Sequence, residues 1–199
     1  MEPLILASAS PRRQDFFRLL GLPFVCVPAE TDETPNPGLC TGDAIGDIAK
    51  RKISAVAAKP AVVSYRWIFA ADTVVVHSGE MLGKPGNRSL AGEMLMRLSG
   101  QKHEVVTAMA LFDRESGKTD VRPAVCQVEF APLCRAEIEW YLDTGEWHGA
   151  AGAYRIQEKG ACFVKSVTGQ PSTVAGLPLR DFYVMLRENG YYLGDKPVT

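Results

Sequence analysis

Leu4-Ile5-Leu6-Ala7-Ser8-Ala9-Ser10-Pro11-Arg12-Arg13-Gln14-Asp15-Phe16-Phe17-Arg18-Leu19-Leu20-Gly21 opens the chain and reads as a strand feeding a helix. Leu4 to Ala7 is a continuous apolar run of the kind that forms a buried strand. Ser10-Pro11 is a helix start, with serine at the N-cap and proline at the first helical position. Phe16, Phe17, Leu19 and Leu20 supply the apolar face, and Gly21 closes the helix. The rest of the chain repeats this alternation. Thr41 to about Lys59 is a second helix, with Ile45, Ile48, Ala49, Ile53 and Val56 inward. Ile68 to Val76 is a strand, paired through a turn at Ser78-Gly79 with Met81-Leu82. Further helices are expected at Ser89–Leu98, Ala136 to about Thr144 and Leu179–Glu188, and strands at Val105–Phe112, Val121–Phe130 and Ala161–Val167. The longest irregular stretch is Pro28 to Gly42. Without a strict βαβ period, the fold class is α/β with a mixed sheet.

The chain has 199 residues, 22 Lys and Arg against 23 Asp and Glu, and a net charge of −1. That balance gives no global basic field for a nucleic-acid polymer. A small anionic ligand is compatible with it. The five cysteines, Cys26, Cys40, Cys126, Cys134 and Cys162, form no C-x-x-C pair, and His77, His103 and His148 lie far apart. This pattern fits reduced thiols in a cytoplasmic chain better than zinc or a disulfide framework. No apolar run approaches the ~18 residues of a membrane-spanning helix, and Met1-Glu2-Pro3 lacks the basic start of a signal peptide.

Five segments could carry chemistry. Arg12 and Arg13 stand at a helix N-terminus, where the helix dipole disfavours cations by ~0.3–1 kcal/mol each. A bound anion would remove the conflict, and hydroxyls with arginine forks suit phosphate oxygens. If that were their whole role, replacing either would cost little stability. Two solvated arginines are the plain alternative. Asp72 lies inside the apolar strand Ile68–Val76, where a carboxylate is costly unless it is paired, binds a cation or reaches solvent. Gly83-Lys84-Pro85 follows the hairpin, so Lys84 would come from the strand next to Asp72, or be an exposed turn lysine. Glu30-Thr31-Asp32-Glu33 could hold a hard cation such as Mg²⁺, or be a solvated loop. Lys50-Arg51-Lys52 is a charged helix face from which one residue could reach an anion. Later, Gln157 has the donor and acceptor needed to read a base edge, and the glycine of Gly176-Leu177-Pro178-Leu179 lets backbone approach a ligand.

Taken together, LASASPRR at 6–13, ETDET at 30–34, AADTVV at 70–75, GKP at 83–85, LSGQKHEVVT at 98–107, AGAYRIQ at 151–157 and GLPL at 176–179 resemble the Maf family of nucleotide pyrophosphatases. The order and spacing run nearly end to end, so the whole chain, 1–199, is expected to be one such domain. The resemblance implies an elongated central mixed sheet flanked by helices, with two lobes and a cleft between them. It also implies hydrolysis between the α and β phosphates of a nucleoside triphosphate, with Mg²⁺ or Mn²⁺ as cofactor. By position, Asp72 takes the role of catalytic base or metal ligand, and Lys84 joins it in catalysis. Ser8, Arg12, Arg13 and Lys52 match phosphate-site residues, Glu33 an acidic residue near the metal, and Gln157 a residue near the nucleotide.

The segment at 154–157 resembles the branch acting on dTTP and UTP, with 7-methyl-GTP as the alternative substrate. The expected partner is this small nucleotide, with neither a nucleic-acid polymer nor a membrane, and with a homodimer as a candidate assembly. A nucleotide-binding regulator of cell division and a phosphosugar-binding module are the rival readings. Asp72 and Lys84 favour an enzyme over the first, and the order of the other motifs disfavours the second. The chain departs from the family pattern at Ile53, Ala108, Ala150 and Thr173, where alanine, glycine, a basic residue and asparagine are usual. These departures bear on packing and substrate fit rather than on Asp72 or the arginines.

Overall fold

A computed structural model describes residues 1–194. The elements are β1 (Leu4–Leu6), α1 (Pro11–Leu19), β2 (Phe24–Cys26), α2 (Thr41–Ala57), β3 (Trp67–His77), β4 (Glu80–Leu82), α3 (Arg88–Leu98), β5 (Lys102–Asp113), β6 (Lys118–Phe130), α4 (Arg135–Asp143), β7 (Val164–Thr168), α5 (Pro171–Val174) and α6 (Leu179–Glu188). The strands form one seven-stranded mixed sheet in the order β2-β1-β3-β5-β6-β7, with β4 paired to β3. β1 runs parallel to both β2 and β3, in the registers Leu4↔Phe24 and Leu4↔Trp67, while β3–β4 and β6–β7 are antiparallel.

Two expectations change. Phe24–Cys26 is a strand that no periodicity marks, because it is a short run at the sheet edge between two prolines. Main-chain bonds define it, from the Leu4 N–H to the Pro23 carbonyl at 2.9 Å and from the Val27 N–H to the Leu6 carbonyl at 3.0 Å. The last strand starts at Val164 rather than Ala161, because Lys159–Phe163 closes into a 3₁₀ turn.

The described chain forms two compact units. The first comprises 1–72, 107–124 and the chain from Gly176, and the second comprises 73–106 and 125–175. In the first unit, two apolar clusters follow the strand alternation of side chains. Trp67, Phe69 and Ala71 pack with Phe17 of α1 and Phe182 and Met185 of α6, and Ile68 and Ala70 pack with Ala49, Ile53 and Val56 of α2. Ile53, one of the departures, is therefore core. Ala108 is another and is also buried. A Cβ built on Gly46 of α2 would lie 2.9 Å from Val121 Cγ1 but 4.0 Å from the Ala108 Cβ, so Gly46 leaves room for Val121, while the methyl at 108 sits at ordinary contact distance.

The second unit has its own core, in which Leu95 and Leu98 of α3, Ile138 and Tyr141 of α4, Phe130 and Phe163 meet. The departures Ala150 and Thr173 are both buried there. Gly152 has φ +65°, and a Cβ at that position would stand 2.6 Å from Val75 Cγ2. Its N–H donates to the Gly83 carbonyl at 3.1 Å, which ties the Ala-Gly-Ala-Tyr segment to the loop carrying Lys84.

His103 is buried in this unit, 2.8 Å from the Tyr154 hydroxyl and edge-on to Phe130, and its Nδ1 has no hydrogen-bond partner. Burial, with a smaller contribution from His77, lowers its pKa to about 4. An unfolded histidine takes up a proton near pH ~6.5. Stability is therefore full above that pH, declines as pH falls toward about 4, and levels off below it. Urea unfolding at about pH 7.5 and about pH 5 is expected to differ by ~2 kcal/mol from this group. His103→Gln is expected to remove that part of the difference.

Candidate active site

The first unit holds six of the eight residues that the sequence singled out, Ser8, Arg12, Arg13, Glu33, Lys52 and Asp72. The chain leaves β1 through Ala7 and Ser8 and enters α1 at Pro11. Ser10 has extended backbone but makes no side-chain cap, and its N–H instead donates to Ser8 Oγ at 3.2 Å. Helical spacing sets Arg13 on the same face of α1 as Phe17, and both are buried. Arg13 Nη1 donates to Ser8 Oγ at 3.1 Å and Nε to the Gly176 carbonyl at 2.9 Å. Burial pushes its guanidinium below the ordinary value, while the charges of Asp72 and Glu33 act the other way. Arg13 is thus a tie across the first unit as well as a cation, so the expectation that its loss costs little stability does not hold. Gly176 offers its carbonyl to Arg13, a role the sequence reading of that glycine did not assign. Arg12 is half-buried on the next face of α1.

Lys52 reaches the same region from α2. Ile45, Ile48, Ala49, Lys52, Ile53 and Val56 form one buried stripe at helical spacing, so Lys52 points inward. Asp72 follows Ile68 and Ala70 on the α2-facing side of β3 and is only 9 % exposed. The Lys52 ammonium donates to Asp72 Oδ1 at 2.6 Å and meets Glu33 Oε1 at 2.7 Å. Two of its three donors go to carboxylates, so Lys52 is the shared counter-ion of Asp72 and Glu33. Two cations, Arg13 and Lys52, stand against two anions, Asp72 and Glu33. Arg13, Lys52 and Asp72 are buried while Glu33 is exposed; buried charges are costly unless paired, and here each sign has its counterpart.

Among the described residues, no group of three or more His, Cys, Asp and Glu is gathered as a metal site. The two carboxylates that share the Lys52 ammonium nevertheless suit a divalent cation of the Mg²⁺ type, which takes one or two protein carboxylates and completes its shell with water and phosphate. Both carboxylates already converge on one positive group, so the donor set fits.

Lys84 and Gln157 belong to the other unit. β4 ends at Leu82, so Lys84 lies in the exposed loop beyond the strand rather than on it. Gln157 is exposed on a turn. That turn is pinned by Arg155, whose guanidinium donates to the Glu146 carbonyl at 2.6 Å and the His148 carbonyl at 2.7 Å.

The family model for Maf-like protein matches residues 3–189. Three curated relatives, each named dTTP/UTP pyrophosphatase, align along nearly the whole chain. That of Symbiobacterium thermophilum is 42% identical over 192 residues, covering 96% of each chain. That of Pelotomaculum thermopropionicum is 41% identical over 191 residues, covering 96% of this chain and 98% of the relative. That of Myxococcus xanthus is 40% identical over 187 residues, covering 94% and 92%.

Proposed function

The chain belongs to the Maf-like protein family, and from that premise we propose that it is a nucleoside triphosphate pyrophosphatase, acting on dTTP and UTP, that releases a nucleoside monophosphate and pyrophosphate. The observation that carries the reading is the charge-balanced set of Ser8, Arg13, Lys52, Asp72 and Glu33 in a chain more than 40% identical to relatives of that name. Phosphate oxygens give Arg13 and Lys52 anionic partners beyond Asp72 and Glu33, and Arg12 adds a third cation from the first turn of α1. Fixed cations aimed at developing phosphate charge are often the largest catalytic contribution. Asp72 takes the proton of the attacking water or orients it, with Oδ1 held by Lys52. Asp72 and Glu33 would hold Mg²⁺ or Mn²⁺, which supplies charge neutralisation and a more acidic water when bound. Pyrophosphate departs as a stabilised anion, so no covalent intermediate is needed.

Specificity is assigned to Gln157. Its amide offers one donor direction and one acceptor, which match a carbonyl and the N–H of the uracil or thymine imide edge. Steady-state kinetics on UTP, dTTP, 7-methyl-GTP and the purine triphosphates test this. The expected result is a higher kcat/KM for UTP and dTTP than for the rest. A higher value for 7-methyl-GTP overturns the pyrimidine assignment. Binding without turnover across the panel favours a regulator.

A further inference from the structure

Glu33 lies in the long connection between β2 and α2, and the described chain there has no helix or strand to hold it. Ordering such backbone has an entropic cost, so something must fix the carboxylate where Lys52 meets it. Arg51 stands one residue before Lys52, on the outer side of α2. Its Nε donates to Asp47 Oδ2, one turn back, at 3.1 Å, which orients the guanidinium along the helix. The two other nitrogens form a fork: Nη1 donates to the Asp32 carbonyl and Nη2 to the Thr34 carbonyl, the latter at 2.7 Å. Those carbonyls belong to the residues on either side of Glu33. The turn is also closed from within, because Asp32 Oδ1 accepts from the Thr34 N–H at 2.9 Å and from its hydroxyl at 2.7 Å. The two adjacent residues of α2 thus have separate tasks. Lys52 meets the Glu33 carboxylate at 2.7 Å, and Arg51 holds the backbone that presents it.

We propose that Arg51 is a positioning residue, which clamps the 32–34 turn so that Glu33 is held beside Asp72 for a divalent cation. This rests on the reading of Glu33 as a cation ligand. Lysine at 51 would keep the charge but lacks the planar fork that reaches two carbonyls at once.

The test is a double-mutant cycle on the full chain, read by Mn²⁺ binding from the paramagnetic resonance of free Mn²⁺, with kcat/KM alongside. Loss of a group that orients a metal ligand typically weakens metal affinity ~10–100-fold. Arg51→Met is expected to raise the Mn²⁺ Kd by about tenfold, Glu33→Gln at least as much, and the pair together no more than Glu33→Gln alone. Arg51→Lys is expected to fall between wild type and Arg51→Met, and it serves as the measured variant should Arg51→Met fail to fold. Weakened binding for Glu33→Gln, with wild-type binding for the Arg51 variants or with fully multiplicative losses, overturns the positioning role alone. A lowered Tm with unchanged Kd does the same. Wild-type Mn²⁺ binding by Glu33→Gln overturns the reading of Glu33 itself, and the role of Arg51 falls with it.

Discussion

Asp72→Asn is expected to lower kcat by ~10²–10⁴-fold, the contribution a positioned base or metal ligand typically makes. The substitution is nearly isosteric. It removes the charge that would take the water proton, and it weakens the oxygen pair that would hold the cation. Folding should survive, because Lys52 keeps Glu33 as a partner at 2.7 Å and the amide oxygen can still accept a hydrogen bond. The stability cost is expected to be roughly 1–2 kcal/mol. Turnover and a thermal melt on the same preparation check both halves. An unchanged kcat removes Asp72 from the centre of the chemistry.

Arg13→Ala is expected to damage catalysis and stability together, unlike Arg12→Ala. Removing one preorganised donor to a developing anion costs ~10²–10³-fold in turnover. The same deletion also strips the Gly176 carbonyl and Ser8 Oγ of a charged donor and leaves a gap beside Phe17. Charge-assisted hydrogen bonds of this kind contribute about 1.5–3 kcal/mol, so unfolding should become easier by roughly 2–4 kcal/mol. Arg13→Lys should regain only part of either loss, because one ammonium lacks the planar fork that serves both partners. Arg12 is half-buried in the first turn, and its removal should affect kcat/KM with little change in Tm. Wild-type stability in Arg13→Ala would mean that the tie to Gly176 contributes little. Wild-type kcat/KM would mean that Arg13 is structural only.

Much of this site was legible where periodicity alone decides direction. Ile68, Ala70 and Asp72 alternate along one strand, so Asp72 had to share the face of its apolar neighbours. Ile48, Lys52 and Val56 repeat at helical spacing, so of Lys50, Arg51 and Lys52 the last is the one turned inward. What the sequence did not disclose are pairings between distant segments. Arg13 finds its acceptor in a main-chain carbonyl 163 residues away, and a carbonyl has no identity in the sequence. Arg51 likewise uses backbone oxygens of a loop, so it read as one more solvated charge. β2 depends on hydrogen bonds to β1 rather than on any pattern in Phe24–Cys26. The hairpin was legible to its end at Leu82, but Lys84, expected to come from that strand, lies two residues beyond it in the loop.

The most direct measurement is hydrolysis of UTP with Mg²⁺ or Mn²⁺ in heavy-oxygen water, with the products separated and weighed by mass spectrometry. Attack at the α-phosphorus places the solvent oxygen in UMP and releases unlabelled pyrophosphate as the only other product, and that is the expected result. Label in the pyrophosphate, or release of single phosphate groups in place of pyrophosphate, would contradict the account.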